Sequence, residues 1–229
     1  MSGPPDLDRL SRVPDPFEGD DKLPAPPPLP AVAAPTRAEH HRRLLVAVAA
    51  TLLLQAVWIA LSRHALPLRE VTVHHVVFGL GVPLVAAAVT WLLATSRGRA
   101  GLGAPASWLA LGIALATLLF VTATLATAPA DQDASGLAFA DRALRCMVQA
   151  GVLGVVSLGV FAIAFRNAFV AASTWRTAAI GVACGALAAA TMSLACFHRE
   201  AMHVLLGHGW MIVAGGVAGA LVGRRFTRA

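Results

Sequence analysis

The chain has 229 residues, of which 57% are hydrophobic and only 13% charged, with a mean hydropathy of +0.70. Soluble domains carry about a quarter charged residues, so this composition excludes an ordinary soluble protein and describes a membrane protein with a polar appendage. The formal net charge of +6 does not argue for direct nucleic-acid binding, because basic residues at the mouths of membrane spans follow from orientation alone. Three cysteines cannot build a disulfide framework, so any thiol role is local.

Residues 1–43 hold ten of the fourteen prolines, including "LPAPPPLP" at 23–30. Such a segment buries too little apolar surface to fold alone and is expected to be a disordered, proline-rich, acidic stretch on the cytoplasmic side. No signal peptide is expected, because the first apolar run starts near residue 44, behind this segment. Within "PPDLDRLSRVPDPFEGDD" (4–21), six residues are acidic and two are Arg. Leu7, Leu10, Val13 and Phe17 are spaced like one helical face, with Asp15 among them. Two readings stay open: a solvated linker, or a recognition segment that folds on a partner with 23–39 as its tether.

From residue 44 to 223 the sequence reads as an all-α domain of six transmembrane helices in membrane lipid. The apolar runs fall at about 44–62, 74–95, 105–127, 144–165, 177–196 and 201–222, each near the 17–25 residues a span requires. They are rich in Ala and Leu and lack period-2 alternation, which excludes a barrel. With the N-terminus inside, Arg37, Arg42, Arg43, Arg97, Arg99, Arg166, Arg176, Arg224, Arg225 and Arg228 fall on the inner side. Arg63, Arg69, Arg142, Arg145 and Arg199 fall outside. That bias predicts cytoplasmic N- and C-termini, with 224–229 as a short basic tail.

Small-residue stripes recur at four-residue spacing: Gly181 and Gly185 in the fifth run, and Gly215, Gly219 and Gly223 in the sixth. Such stripes permit close backbone approach where lipid removes the hydrophobic drive between helices. Internal packing is the preferred reading over a homodimer seam, and no homo-oligomer is indicated. Gln55 and Gln149 are read as ties between helices, and Cys184 as a small core residue.

The chemistry-bearing residues collect at the outer end. Cys146 opens the fourth span and Cys196 closes the fifth, with 49 residues between them, yet consecutive antiparallel helices set both thiols at similar depth. His198 follows in the outer turn, and His203 and His208 enter the sixth span; His64, His74 and His75 lie on the same side. An oxidising outer face allows a Cys146–Cys196 disulfide. Thiolates with imidazoles suit zinc, cadmium or copper(I) instead, although "CFH" followed by "MHVLLGH" follows no standard zinc motif. The alternative for each His alone is an interfacial residue bonded to headgroup or water.

Paired carboxylates inside spans and a nucleophile–base pair in register are both missing, so no enzyme is expected. A small metal-ion or solute transporter would want polar residues along a path through the bilayer, whereas polarity here gathers at one end. A haem- or quinone-binding redox protein would want His pairs at matched depth, for which His75 and His203 are the candidates.

Several stretches carry a family resemblance: "DRALRCMVQAG" opening the fourth span, the inner loop "FRNAFVAASTWR", and "AIGVACGALAAATMSLACFHREAMHVLLGHGW" with an Arg-rich tail. With "GRAGLGAP" between spans two and three, the layout over about 44–225 resembles the NrsF-type integral-membrane anti-sigma factors. The resemblance implies a negative regulator that sequesters an extracytoplasmic-function sigma factor at the inner membrane and releases it on an envelope stimulus. It also implies stress sensing through a Cys near the start of the fourth span and another at the end of the fifth, positions that Cys146 and Cys196 match. The N-terminal segment departs from the family, being longer and richer in proline.

Overall fold

The computed structural model describes residues 37–62, 73, 75–96, 104–127, 137–165, 174–196, 198 and 200–226. The candidate recognition segment with Leu7, Leu10, Val13, Asp15 and Phe17 lies outside the described residues, as do His64 and His74.

Among the described residues there are six helices long and apolar enough to cross a membrane, and no strand. We number them α1 (Arg37–Leu61), α2 (a π-helical His75–Gly81 running into Val82–Thr95), α3 (Ala106–Thr127), α4 (Leu137–Phe165) and α5 (Thr174–Ala195). The last, α6, has three parts: Ala201–His203, a π-helical Val204–Gly209, and Trp210–Phe226. Two helices start seven residues earlier than the apolar runs suggest. α1 begins at Arg37 rather than 44, and α4 begins at Leu137 rather than 144. The extra turns of α1 are polar and hold an i,i+4 pair, Glu39 with Arg43; those of α4 are mostly apolar and hold Asp141, which pairs with Arg145 one turn further on. Charged residues end an apolar run without ending the helix. Cys146 therefore sits in the third turn of α4, not at its start.

α5 is the central helix. Its span is 94% buried, against 17–44% for the others, and all five other helices pack on it. The sequence explains this: "AAIGVACGALAAA" makes a narrow cylinder that neighbours can approach closely. The closest approach is to α6. A Cβ built on Gly181 would stand 1.9 Å from the Gly215 carbonyl oxygen, and one on Gly219 would stand 2.1 Å from that of Thr177. The glycine stripes thus serve packing within the chain.

In the bilayer each backbone and side-chain polar group must find an internal partner. Thr90, Thr191 and Ser193 donate to carbonyls of their own helices at 2.7–3.1 Å. Gln55 does tie helices, its amide donating to Ser157 Oγ on α4 at 3.1 Å. Gln149 does not: it lies on the exposed face of α4, because the helix turns its small residues Ala143 and Ala150 inward. Cys184 is buried at 3% exposure in a core cluster with Phe161 and Phe165, and lines an apolar cavity of about 180 Å³ with Thr51, Trp91 and Ile180.

Candidate metal centre

Three helices deliver the cluster. Cys146 comes from α4 and Cys196 from the end of α5, where its N–H still bonds the Met192 carbonyl at 2.9 Å. His203 and His208 come from the start of α6, whose first turn is closed by the Val204 N–H on the Glu200 carbonyl at 3.0 Å.

Local winding decides which histidines meet. Five residues of α-helix rotate a side chain by about 500°, leaving positions 203 and 208 about 140° apart. Between them the chain winds as a π-helix, Val204–Gly209, whose hydrogen bonds close from i to i+5. That looser turn swings His208 back over His203, and their ring centroids lie 5.4 Å apart. The two glycines of "GHG" then let α6 approach its neighbours. A Cβ on Gly207 would come 3.1 Å from Cys146 Cβ, and one on Gly209 would come 2.3 Å from the Phe120 ring. Trp210 locks this approach, its indole N–H donating to the Met147 carbonyl at 3.1 Å.

The result is a tetrad. One donor atom from each of Cys146, Cys196, His203 and His208 lies within 4.8 Å of the others. Cys146 Sγ is 3.5 Å from Cys196 Sγ, which is 3.4 Å from His203 Nε2. Ligands at about 2.0–2.3 Å around a tetrahedral ion stand roughly 3.3–3.8 Å from one another, so these edges already match such a shell. All four residues are buried: 9% exposure for Cys146, 7% for Cys196 and 1% for each histidine.

The polar atoms inside are poorly satisfied. His203 Nδ1 and both nitrogens of His208 are buried without a hydrogen-bond partner. A buried imidazole nitrogen without a partner costs about 1–3 kcal/mol, which a metal ligated at a His208 nitrogen would recover. Two thiols and two imidazoles grouped in this way fit zinc or cadmium.

His198, a fifth candidate ligand from the sequence, is not part of the group of four donors. It stays in the turn, 37% exposed and 3.8 Å from Glu200. Its ring nevertheless lies 5.1 Å from that of His203. The sequence had no signal for the roles of Gly207 and Trp210 beyond glycines flanking a histidine in an apolar run. The wider bundle offers no comparable polar centre among the described buried residues, where other polar side chains are mainly Thr and Ser.

Fold and site together define a polytopic helical membrane protein with, among the described residues, one buried thiol–imidazole centre. The profile of the family NrsF, described as negative regulator of sigma F, matches residues 29–228, and the chain belongs to that family. Membership makes it a negative regulator of a sigma factor, with a sigma factor as partner, in a family that is not a class of enzymes. No curated protein and no solved structure matches the chain. The match begins at residue 29, so Leu7, Leu10, Val13, Asp15 and Phe17 precede the part that the family shares.

Proposed function

We propose that this is an anti-sigma factor of the bacterial inner membrane, with both termini cytoplasmic, which sequesters an extracytoplasmic-function sigma factor. A thiophilic divalent ion at Cys146, Cys196, His203 and His208 triggers release. The single observation that carries the reading is the buried tetrad. The arginine bias supports its outward placement, and the acidic segment at 4–21 suits the basic surface a DNA-binding partner presents.

Binding Zn²⁺ or Cd²⁺ at this tetrad takes two thiols to thiolates, releases two protons and leaves a centre of zero net charge, which suits burial. Four mixed N and S donors match these ions; Cu⁺ would draw mainly on the sulfur pair. The bond set joins α4, α5 and α6 at one end. α4 in turn holds α1 through Gln55 and Ser157, and α1 follows the N-terminal segment directly. A change in α4 tilt thus reaches the helix that bears the tail.

The sulfur pair favours a second trigger. At 3.5 Å the two thiols need to close to about 2.05 Å to form a disulfide, passing two electrons and two protons to an oxidant such as a peroxide. The test uses full-length protein in nanodiscs and the sigma factors of its own cell. Wild type and Cys146→Ser/Cys196→Ser should both capture one of them. Cd²⁺, Zn²⁺ or peroxide should release it from wild type alone, and which reagent succeeds separates the two triggers. Capture of none, or equal release from the double variant, sinks the proposal.

A further inference from the structure

The centre is buried under its own helices, so an ion needs a route to it. The four ligand residues are between 1% and 9% exposed, too little for a hydrated ion to meet them directly. On one side Phe139 stands edge-on to His203 with centroids 6.4 Å apart, an apolar wall. On another side the His198 ring lies 5.1 Å from His203, and His198 and Glu200 are each 37% exposed.

His203 has two ring nitrogens with different surroundings. Nε2 stands 3.4 Å from Cys196 Sγ, within the tetrad. Nδ1 is buried and unpartnered. Three imidazoles therefore run in series from the exposed turn to the sulfurs, His198 to His203 at 5.1 Å and His203 to His208 at 5.4 Å. A carboxylate stands 3.8 Å from the outermost imidazole.

We propose that His198, assisted by Glu200, is the loading ligand of the buried centre: it takes a divalent cation from solution at the exposed turn and hands it to His203. The inference rests on the metal reading of the tetrad. The chemistry is ligand exchange, with no change of oxidation state. At the turn, the cation gives up water to the His198 imidazole while the Glu200 carboxylate offsets its charge. Next it exchanges the remaining water and His198 for His203, His208 and the two sulfurs, and the two thiol protons leave to solvent. His198 is absent from the final shell, which is why it lies near the tetrad and outside it. A residue on the path but not in the product changes how fast the ion arrives and leaves, and not how tightly it is finally held.

The experiment uses the full-length protein in nanodiscs with Cd²⁺ alone as probe. The ultraviolet thiolate-to-cadmium charge-transfer band is followed by stopped flow, and release into a chelator gives the reverse rate. His198→Ala should slow both rates about tenfold, equivalent to raising the exchange barrier by about 1.4 kcal/mol, with the dissociation constant unchanged within about threefold. Glu200→Gln, a conservative change on an exposed side chain, should slow association alone by about two- to fivefold at low salt, through weaker attraction of the cation. Unchanged rates in His198→Ala overturn the loading role. A weaker final affinity with an unchanged association rate also overturns it, by making His198 a ligand of the finished site. Absence of the band in wild type and in Cys146→Ser alike refutes the metal centre itself. That outcome is distinct from a wild-type band whose kinetics His198 does not control.

Discussion

Replacing Gly181 by Ala is the most direct test of how α5 and α6 hold the centre together. The new Cβ would stand 1.9 Å from the Gly215 carbonyl oxygen and 2.6 Å from its carbon, where ordinary contact begins at 3.4 Å. Both atoms are backbone, so no side chain can rotate away, and the two helices must part by about 1–1.5 Å. A gap of about 0.5–1 Å already forfeits a quarter to a half of each dispersion contact, and packing is the main attraction between helices in lipid. Overpacking of this kind costs about 1–3 kcal/mol. Alanine is also a better helix former than glycine by about 0.8–1 kcal/mol, which masks part of the loss. Gly159→Ala removes that ambiguity: nothing lies within 4 Å of the Cβ there, so it carries the propensity gain without the clash. The difference in unfolding free energy between the two variants in the same detergent, followed by circular dichroism, should be about 1–3 kcal/mol. Cd²⁺ affinity should fall in Gly181→Ala as well, since Cys196 rides on α5 and both histidines on α6. Equal stability of the two variants would refute the close-approach argument.

Other outcomes follow from single contacts. Gly207→Val should weaken Cd²⁺ binding at least tenfold without removing a ligand, a loss on the scale seen when the support of a metal site is disturbed. Its added carbons start 3.1 Å from Cys146 Cβ and push α4 away, and titration of the charge-transfer band reads this directly. Ser157→Ala removes the partner of the Gln55 amide, whose carbonyl oxygen already lacks one; it should cost about 0.6–1.7 kcal/mol. Adding Gln55→Leu to it should recover most of that loss, because both polar groups are then gone, and a double-mutant cycle in detergent measures the difference. Cys184→Ala should leave metal binding unchanged and lower stability by about 1 kcal/mol, as expected for a small enlargement of an apolar cavity.

Much of this molecule is written plainly along the chain. Twenty-residue apolar runs demand helices because lipid leaves no other way to satisfy the backbone, so six spans and their order could be read directly. The small residues of the fifth run also announced close packing. The family resemblance was legible in the stretches around Cys146 and Cys196, and the match over 29–228 bears it out. Helix ends were less legible: Asp141 falls before the fourth apolar run, yet it lies on α4 and pairs with Arg145 on one helix face.

The centre itself needed three dimensions. That Cys146 and Cys196 share a depth followed from counting spans, but that their sulfurs stand 3.5 Å apart depends on how α4 packs on α5. Among the histidines, the sequence offered 198, 203 and 208 together as candidate ligands. The structure separates them, because π-helical winding after His203 turns His208 inward while His198 stays in the exposed turn. Hydrophobic patterning is a one-dimensional signal and survives any packing that buries the same faces. A ligand shell depends on distances of a few tenths of an ångström between three helices, and those are set by the glycine contacts and the local winding that bring the helices together.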